Sequence, residues 1–269
     1  MMAGVLRFAL IGHPVAGALE KRIHDANFRA LGLEASFETL ETPLVKLEET
    51  VSALKAGGYA GFTVVCPHKR NVVALIDELD ASAVRYGAVD TVKIGADGRL
   101  TGYFLETASF IAELDAQNVD YRRQHAVIVG AGVTGRALAM GLMAAGAFDV
   151  ALANRTPREG ILQIDSPLCR ELVKRVEILI NATPLGLRKH DPCFAAKGLF
   201  DCKHTVFDTA PSNLLNGSCR EAFVARARYI GGAGALVRRC AAAFEIWAGS
   251  KADVPAMSAA VSEKGDDES

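Results

Sequence analysis

Short apolar runs alternate along this chain with longer stretches whose apolar residues return every three or four positions. The first kind predicts buried strands and the second amphipathic helices. Residues 6–11 read as a strand, and residues 20–31 as a helix with Ile23, Ala26, Ala30 and Leu31 on one face. A strand at 35–40, a helix at 44–54 and a buried strand at 60–65 follow. Pro67 then stands where a helix can begin, since proline suits the first helical position. Residues 89–94 and 99–103 read as two strands joined at Ala96-Asp97-Gly98, a hairpin signal. A helix over 107–114 leads into a second lobe, 122–232, with strands near 126–129, 150–153, 176–180 and 204–208. Such alternation predicts an α/β fold whose second lobe has a parallel sheet with right-handed crossovers. Between 158 and 176 the helical period weakens, with Gly160 and Pro167 interrupting it. The apolar helix at 235–248 is expected to pack back between the lobes, and the chain from Lys251 onward reads as a frayed tail.

The strand at 126–129 runs straight into Gly130-Ala131-Gly132-Val133-Thr134-Gly135, and a helix-forming stretch, 136–144, follows at once. In the unit that wraps a dinucleotide pyrophosphate, Gly130 would permit the tight turn and Gly132 would let backbone approach the phosphates. Gly135 would let the helix pack against the strand. The helix N-terminus adds unpaired N–H groups and a positive dipole end. NAD-binding units place an acidic residue about 20 residues after the glycines, at the second strand's end, to accept the ribose 2′-hydroxyl. No carboxylate stands there. Asn154, Arg155 and Thr156 do, with Arg158 just beyond. These donors suit a 2′-phosphate, because guanidinium can bond two phosphate oxygens at once. The expected cofactor is NADP, with NAD the second choice; a solvated basic loop is the plain alternative.

Composition narrows the class without choosing the chemistry. At 269 residues the chain has room for two domains, and half of it is hydrophobic. A formal charge of −1 argues against general attraction to nucleic acid or an anionic membrane, leaving a small-molecule substrate as the expected partner. No apolar run approaches the ~20 residues that span a bilayer, and the N-terminus lacks the features of an export signal. Six scattered cysteines form no C-x-x-C pair, and six histidines show no metal-ligand spacing. The expectation is therefore a cytoplasmic protein with reduced thiols and no metal. Oligomeric state is not readable.

Several segments, in order, resemble the shikimate dehydrogenase family. They are Gly12-His13-Pro14-Val15 with Ile23-His24, Gly61 to Lys69, Ala88-Val89-Asp90-Thr91-Val92, and Gly102-Tyr103-Phe104-Leu105-Glu106. Asn154-Arg155-Thr156, Asn181-Ala182-Thr183-Pro184-Leu185-Gly186 and Gly232-Ala233-Gly234-Ala235-Leu236-Val237 complete the series. The resemblance implies a substrate and catalytic domain over 1–105, completed by a C-terminal helix at 235–250. It implies a Rossmann-type, doubly wound nucleotide-binding domain over 106–234, a cleft between the two, and a tail at 251–269. It implies hydride transfer between nicotinamide and a ring alcohol or ketone, with Lys69 exchanging the alcohol proton. Its carboxylate partner falls at Glu106, where the family usually has Asp, and the longer side chain can move the pair by about an ångström. Cofactor contacts are implied at Ala182, Thr183, Gly232 and Ala235 beside those of the glycine turn.

The departures fall on the substrate side. Two serines that hold the substrate carboxylate in the family correspond to Ala18 and Glu20. An asparagine and a threonine of the lysine motif become Thr63 and Val65, a further asparagine becomes Asp90, and a glutamine in the last helix becomes Arg239. Losing groups that bond a buried polar substrate costs roughly several kcal/mol in total. Shikimate itself is thus a poor candidate. Ala18, Glu20, Thr63, Asp90 and Arg239 are the expected substrate-side positions, with Arg239 available to an anion and Glu20 and Asp90 to hydroxyls or an ammonium. A nucleotide-binding protein without turnover, a sensor or interaction module, stays as the second reading.

Overall fold

The computed structural model describes residues 5–15, 19–156, 158–188, 190–211 and 216–262. Two compact units emerge, one from the chain up to Glu106 and from Val237 onward, the other from Thr107 to Leu236.

The first unit opens with β1 (Leu6–Gly12), α1 (Leu19–Leu31), β2 (Ala35–Glu41) and α2 (Leu47–Ala56). It continues through β3 (Gly61–Val64), β4 (Glu78–Leu79), α3 (Ala81–Tyr86), β5 (Thr91–Ile94) and β6 (Leu100–Tyr103). The sheet order is β2-β1-β3-β5-β6-β4, with β5 antiparallel to both β3 and β6. Strand β1 is buried on both faces, as a central strand of an α/β sheet must be. Ala9 and Ile11 pack with Leu47, Val51 and Leu54 of α2, while Phe8 stacks on Phe28.

Two local expectations change here. The helix predicted at 44–54 begins as a 3-10 turn, Leu44–Lys46, before α2. No helix starts at Pro67. His68 closes a turn on the Val65 carbonyl, its buried ring meets the Thr42 carbonyl at 2.5 Å, and the chain coils next only as a 3-10 stretch, Asn71–Leu75. Helix α3 was not expected. Asp80 caps its first turn by accepting from Ser82 N–H, and Gly87 ends it in the left-handed region.

The second unit takes α4 (Glu106–Ala116) from its second residue, then β7 (His125–Val129), α5 (Val133–Ala144) and β8 (Asp149–Asn154). It proceeds through β9 (Leu162–Gln163), α6 (Pro167–Val173), β10 (Ile178–Asn181), β11 (Thr205–Asp208), α7 (Gly217–Val224) and β12 (Arg228–Gly231). All six strands run parallel in the order β12-β11-β10-β7-β8-β9. The order reverses beside β7, the switch point at which doubly wound sheets bind ligands. Alternate residues feed opposite cores, Ile128 with Phe110, Leu138 and Phe207, and Val127 and Val129 with Leu179 and Val206. Pro167 does not interrupt a helix. It stands in the first turn of α6, behind Ser166, whose hydroxyl accepts from Cys169 N–H.

The chain closes with α8 (Ala233–Ala248) and α9 (Val254–Ser262). The expected frayed tail gives way here to an ordered helix. Met257, Ala260 and Val261 form a buried face, and Asp253 accepts from Ala256 N–H. Arg22 of α1 donates to the Ala260 carbonyl and Asp253 N–H to Asn27, so α9 is tied to α1. The last seven residues lie outside the described ones. Among the described residues no helix is long and apolar enough to cross a membrane.

Candidate active site

Lys69 follows β3 by one turn, and its carbonyl accepts Val89 N–H at 2.7 Å. Its ammonium is buried and donates to Glu106 Oε2 at 2.7 Å, with the Phe104 ring 5.8 Å away. Glu106 is the first residue of α4, where backbone N–H groups have no partner within the helix. Asp90, at the entrance to β5, fills that need. Its carboxylate accepts from Leu105 N–H at 2.9 Å, Glu106 N–H at 2.8 Å and the Thr91 hydroxyl at 2.9 Å. Negative charge at a helix N-terminus is favourable. Burial raises the Asp90 pKa, Arg239 and Lys69 pull it back, and Glu106 adds to the rise. The expectation of Asp90 as a group open to substrate changes accordingly, because both its oxygens are turned onto the protein.

A second ion pair, this one buried at both ends, lies in the same unit. Arg239 of α8 donates to Glu20 Oε1 of α1 at 2.7 Å, and both side chains are less than 10% exposed, at 7% and 9%. Burial opposes the Arg239 charge, but Glu20, then Cys240, Asp90 and Glu106, hold its pKa above the usual value. Removing one partner of such a pair costs about 3–5 kcal/mol, because it strands the other charge. Arg239 is thus neutralised by Glu20 rather than standing open to an anion. Arg239 Nε and Thr63 Oγ1 are among the buried polar atoms of this unit that have no partner among the described residues. Ala18 lies outside the described residues.

In the second unit the glycine turn joins β7 to α5. Gly130 has φ +110°, and a side chain there would strike the Ala182 carbonyl. A Cβ on Gly135 would collide with the Gly130 carbonyl, whereas one on Gly132 would meet open space. Gly132 is the N-cap of α5 and, having no side chain, offers no side-chain cap. Ala182 N–H donates to the Val129 carbonyl, and Thr183 bonds Asn181 through both its amide and its hydroxyl. The ends of β7 and β10 are thereby fixed side by side. Gly130 N–H donates to the Ala153 carbonyl, which brings the end of β8 alongside. There Asn154 holds the loop through the Thr156 carbonyl. Arg155 and Arg158 are exposed and have no acidic partner among the described residues. Open space over Gly132 at the start of α5, with two exposed guanidinium groups that have no acidic partner among the described residues, fits a dinucleotide phosphate, and these residues can hold NADP. Gly232 packs against the Thr209 carbonyl beyond β12, and Ala235 sits half-buried in the first turn of α8. Among the described residues no group of His, Cys, Asp and Glu could hold a metal.

Arg136 was not singled out in the sequence. Its Nε donates to the Ala131 carbonyl at 3.1 Å, placing a cation on the glycine turn. An Arg directly after the third glycine was the available signal.

Residues 10–92 match the family model described as the shikimate dehydrogenase substrate binding domain. A shikimate dehydrogenase (NADP(+)) of Rubrobacter xylanophilus is 34% identical over 274 aligned positions, covering 95% of each chain. The chain belongs to the shikimate dehydrogenase family. Among solved structures, shikimate 5-dehydrogenase of Thermus thermophilus in complex with NADP(H) and shikimate is 30% identical, with a TM-score of 0.85 over 96% of this chain and 99% of that one. The 5-ketofructose reductase of Gluconobacter sp. strain CHM43 is 26% identical, with a TM-score of 0.79 over 96% and 98%. Proteins similar to this chain thus bear different substrate names.

Proposed function

We propose that this protein is an NADP-dependent oxidoreductase that interconverts a ring alcohol and its ketone, with a substrate other than shikimate. The observation that carries the reading is the Lys69–Glu106 pair at 2.7 Å, with Lys69 buried and Glu106 half-buried. NADP, when bound, supplies the hydride for reduction or takes it in oxidation. Lys69 Nζ holds the proton that the substrate oxygen gains in one direction and gives up in the other. Glu106 fixes the ammonium in place, and burial excludes the water that would compete for it. Arg155 and Arg158 supply the bidentate donors a 2′-phosphate takes, and no carboxylate at the end of β8 competes for a 2′-hydroxyl.

Two features support a substrate other than shikimate. Glu20, which stands where the family has a carboxylate-binding serine, is buried against Arg239. Asp90, in place of an asparagine, spends its carboxylate on the start of α4. We place the protein in the cytoplasm, on the strength of six free cysteines.

Nicotinamide absorbance followed with both cofactors over shikimate, other cyclic alcohols and hydroxylated ketones such as 5-ketofructose tests the reading. Turnover is expected with a member other than shikimate, and Lys69→Ala should reduce it by at least about a hundredfold. Undiminished turnover in Lys69→Ala would remove the assigned mechanism. Binding of NADP with no turnover of any compound would instead favour a sensor.

A further inference from the structure

The charged side chains of the first unit say what kind of ligand it can accept. Lys69 and Arg239 are the buried Lys and Arg among the described residues, and each already faces a carboxylate, Glu106 and Glu20 respectively. A third carboxylate, Asp90, is fully buried and senses both cations and Glu106. The cluster therefore holds two cations against three carboxylates, with neither cation lacking a counter-charge. A ligand carboxylate entering here would have to displace Glu20 or Glu106 from its partner, or remain unpaired among like charges. Either course is costly where water is excluded. Two of the unsatisfied buried atoms can be met by a neutral ligand. Thr63 Oγ1 and Arg239 Nε each lack a partner among the described residues, and a hydroxyl or carbonyl oxygen can satisfy such groups without bringing charge.

We infer that the site accepts an uncharged polyhydroxylated alcohol or ketone and rejects carboxylates, with Glu20, by neutralising Arg239, as the specificity-determining residue. The inference rests on the reading above that Lys69 and Glu106 mark the substrate site. Glu20 acts as built-in discrimination: it occupies the guanidinium a carboxylate would need and opposes that carboxylate's charge. Neutral hydroxyls are indifferent to both effects.

Shikimate and its carboxamide form a matched pair, since the amide keeps the ring and hydroxyls and removes the charge. Titration of the full chain with each, followed by calorimetry or ligand-observed NMR without cofactor, reads the discrimination directly. The carboxamide should bind about tenfold or more tightly than shikimate to the native protein, and Glu20→Ser should reverse the order by freeing Arg239. Glu20→Gln keeps the shape of the side chain and a hydrogen bond to Arg239. It provides a second test if the serine variant does not fold, and should bring shikimate close to parity. Equal or tighter binding of shikimate by the native protein overturns the inference. So does a preference unmoved in every variant that folds, or a failure of the carboxamide and all neutral polyols tried to bind. A neutral ligand that binds yet is never turned over removes the oxidoreductase reading and leaves the neutral site standing.

Discussion

Asp90 accepts the backbone N–H of Glu106 at 2.8 Å, and through that bond sets where the partner of Lys69 begins its helix. The same carboxylate also receives Leu105 N–H, so two orphan amides at the start of α4 are satisfied from another strand. On the mechanism proposed above, Asp90 acts as a positioning residue. In Asp90→Ala, kcat should fall about tenfold or more with KM changed little, since an ångström of drift at Glu106 is enough for that. Loss of the cap should cost about 1–2 kcal/mol in thermal unfolding. A variant that loses stability but keeps kcat would show that Glu106 holds its place without Asp90.

The glycines of the turn between β7 and α5 should separate folding from cofactor binding. Gly135→Ala drives a Cβ into the Gly130 carbonyl and should destabilise the second unit severely. Gly132→Ala meets nothing in the protein. Its melting temperature should stay near that of the native chain, while NADP affinity falls about tenfold because the added methyl takes space reserved for phosphate. Titration calorimetry together with a thermal melt distinguishes the two. Unchanged NADP affinity in Gly132→Ala would place the pyrophosphate elsewhere.

Arg155 is exposed at the end of β8 and has no acidic partner among the described residues. Removing it should therefore cost little stability. Arg155→Ala should raise KM for NADPH by about tenfold or more and leave that for NADH within about twofold. Equal effects on the two cofactors would end the 2′-phosphate assignment.

His24 gives the fold a dependence on acid. Its ring is fully buried, stacked on Phe37 at 4.4 Å, and neither ring nitrogen has a partner among the described residues. Burial, with the Arg239 charge behind it, lowers its pKa to about 3. The unfolded chain therefore binds a proton near pH 6.5 that the folded chain refuses. Stability is complete above that value and is lost as pH falls toward about 3, at roughly 1.4 kcal/mol per pH unit from this group. Denaturant melts from pH 7 to 4 should show a shallower loss in His24→Phe than in the native protein. An identical slope would mean that other groups carry the acid response.

The sheets were largely legible because buried strands of an α/β fold are continuous apolar runs, as at β1, β3 and β7. The glycine turn was legible because backbone geometry leaves few residue choices at 130 and 135. Short elements were not. Helix α3 has six residues and α9 nine, too few turns to establish a period, and their caps at Asp80 and Asp253 are individually common. Pro167 misled because a proline that starts a helix and one that ends it look alike without the preceding serine cap. The Glu20–Arg239 pair lay furthest from reach. Its members are 219 positions apart, and only the return of α8 to the first unit brings them within 2.7 Å. The residues were identified, but their mutual neutralisation is a property of packing.

Trp247 is the one tryptophan of this chain, and it lies in the first unit, with its ring 5.0 Å from that of Phe8 and its N–H donating to the Val92 carbonyl. Red-edge excitation consequently lights one unit of the intact molecule and leaves the other optically silent. Indole emission during denaturation follows the loss of the first sheet, whereas far-ultraviolet circular dichroism sums both units. Curves that part would reveal two melting events, and curves that coincide a single cooperative one. One ring thus serves as an internal gauge, allowing the strength of each unit to be read without cutting the chain.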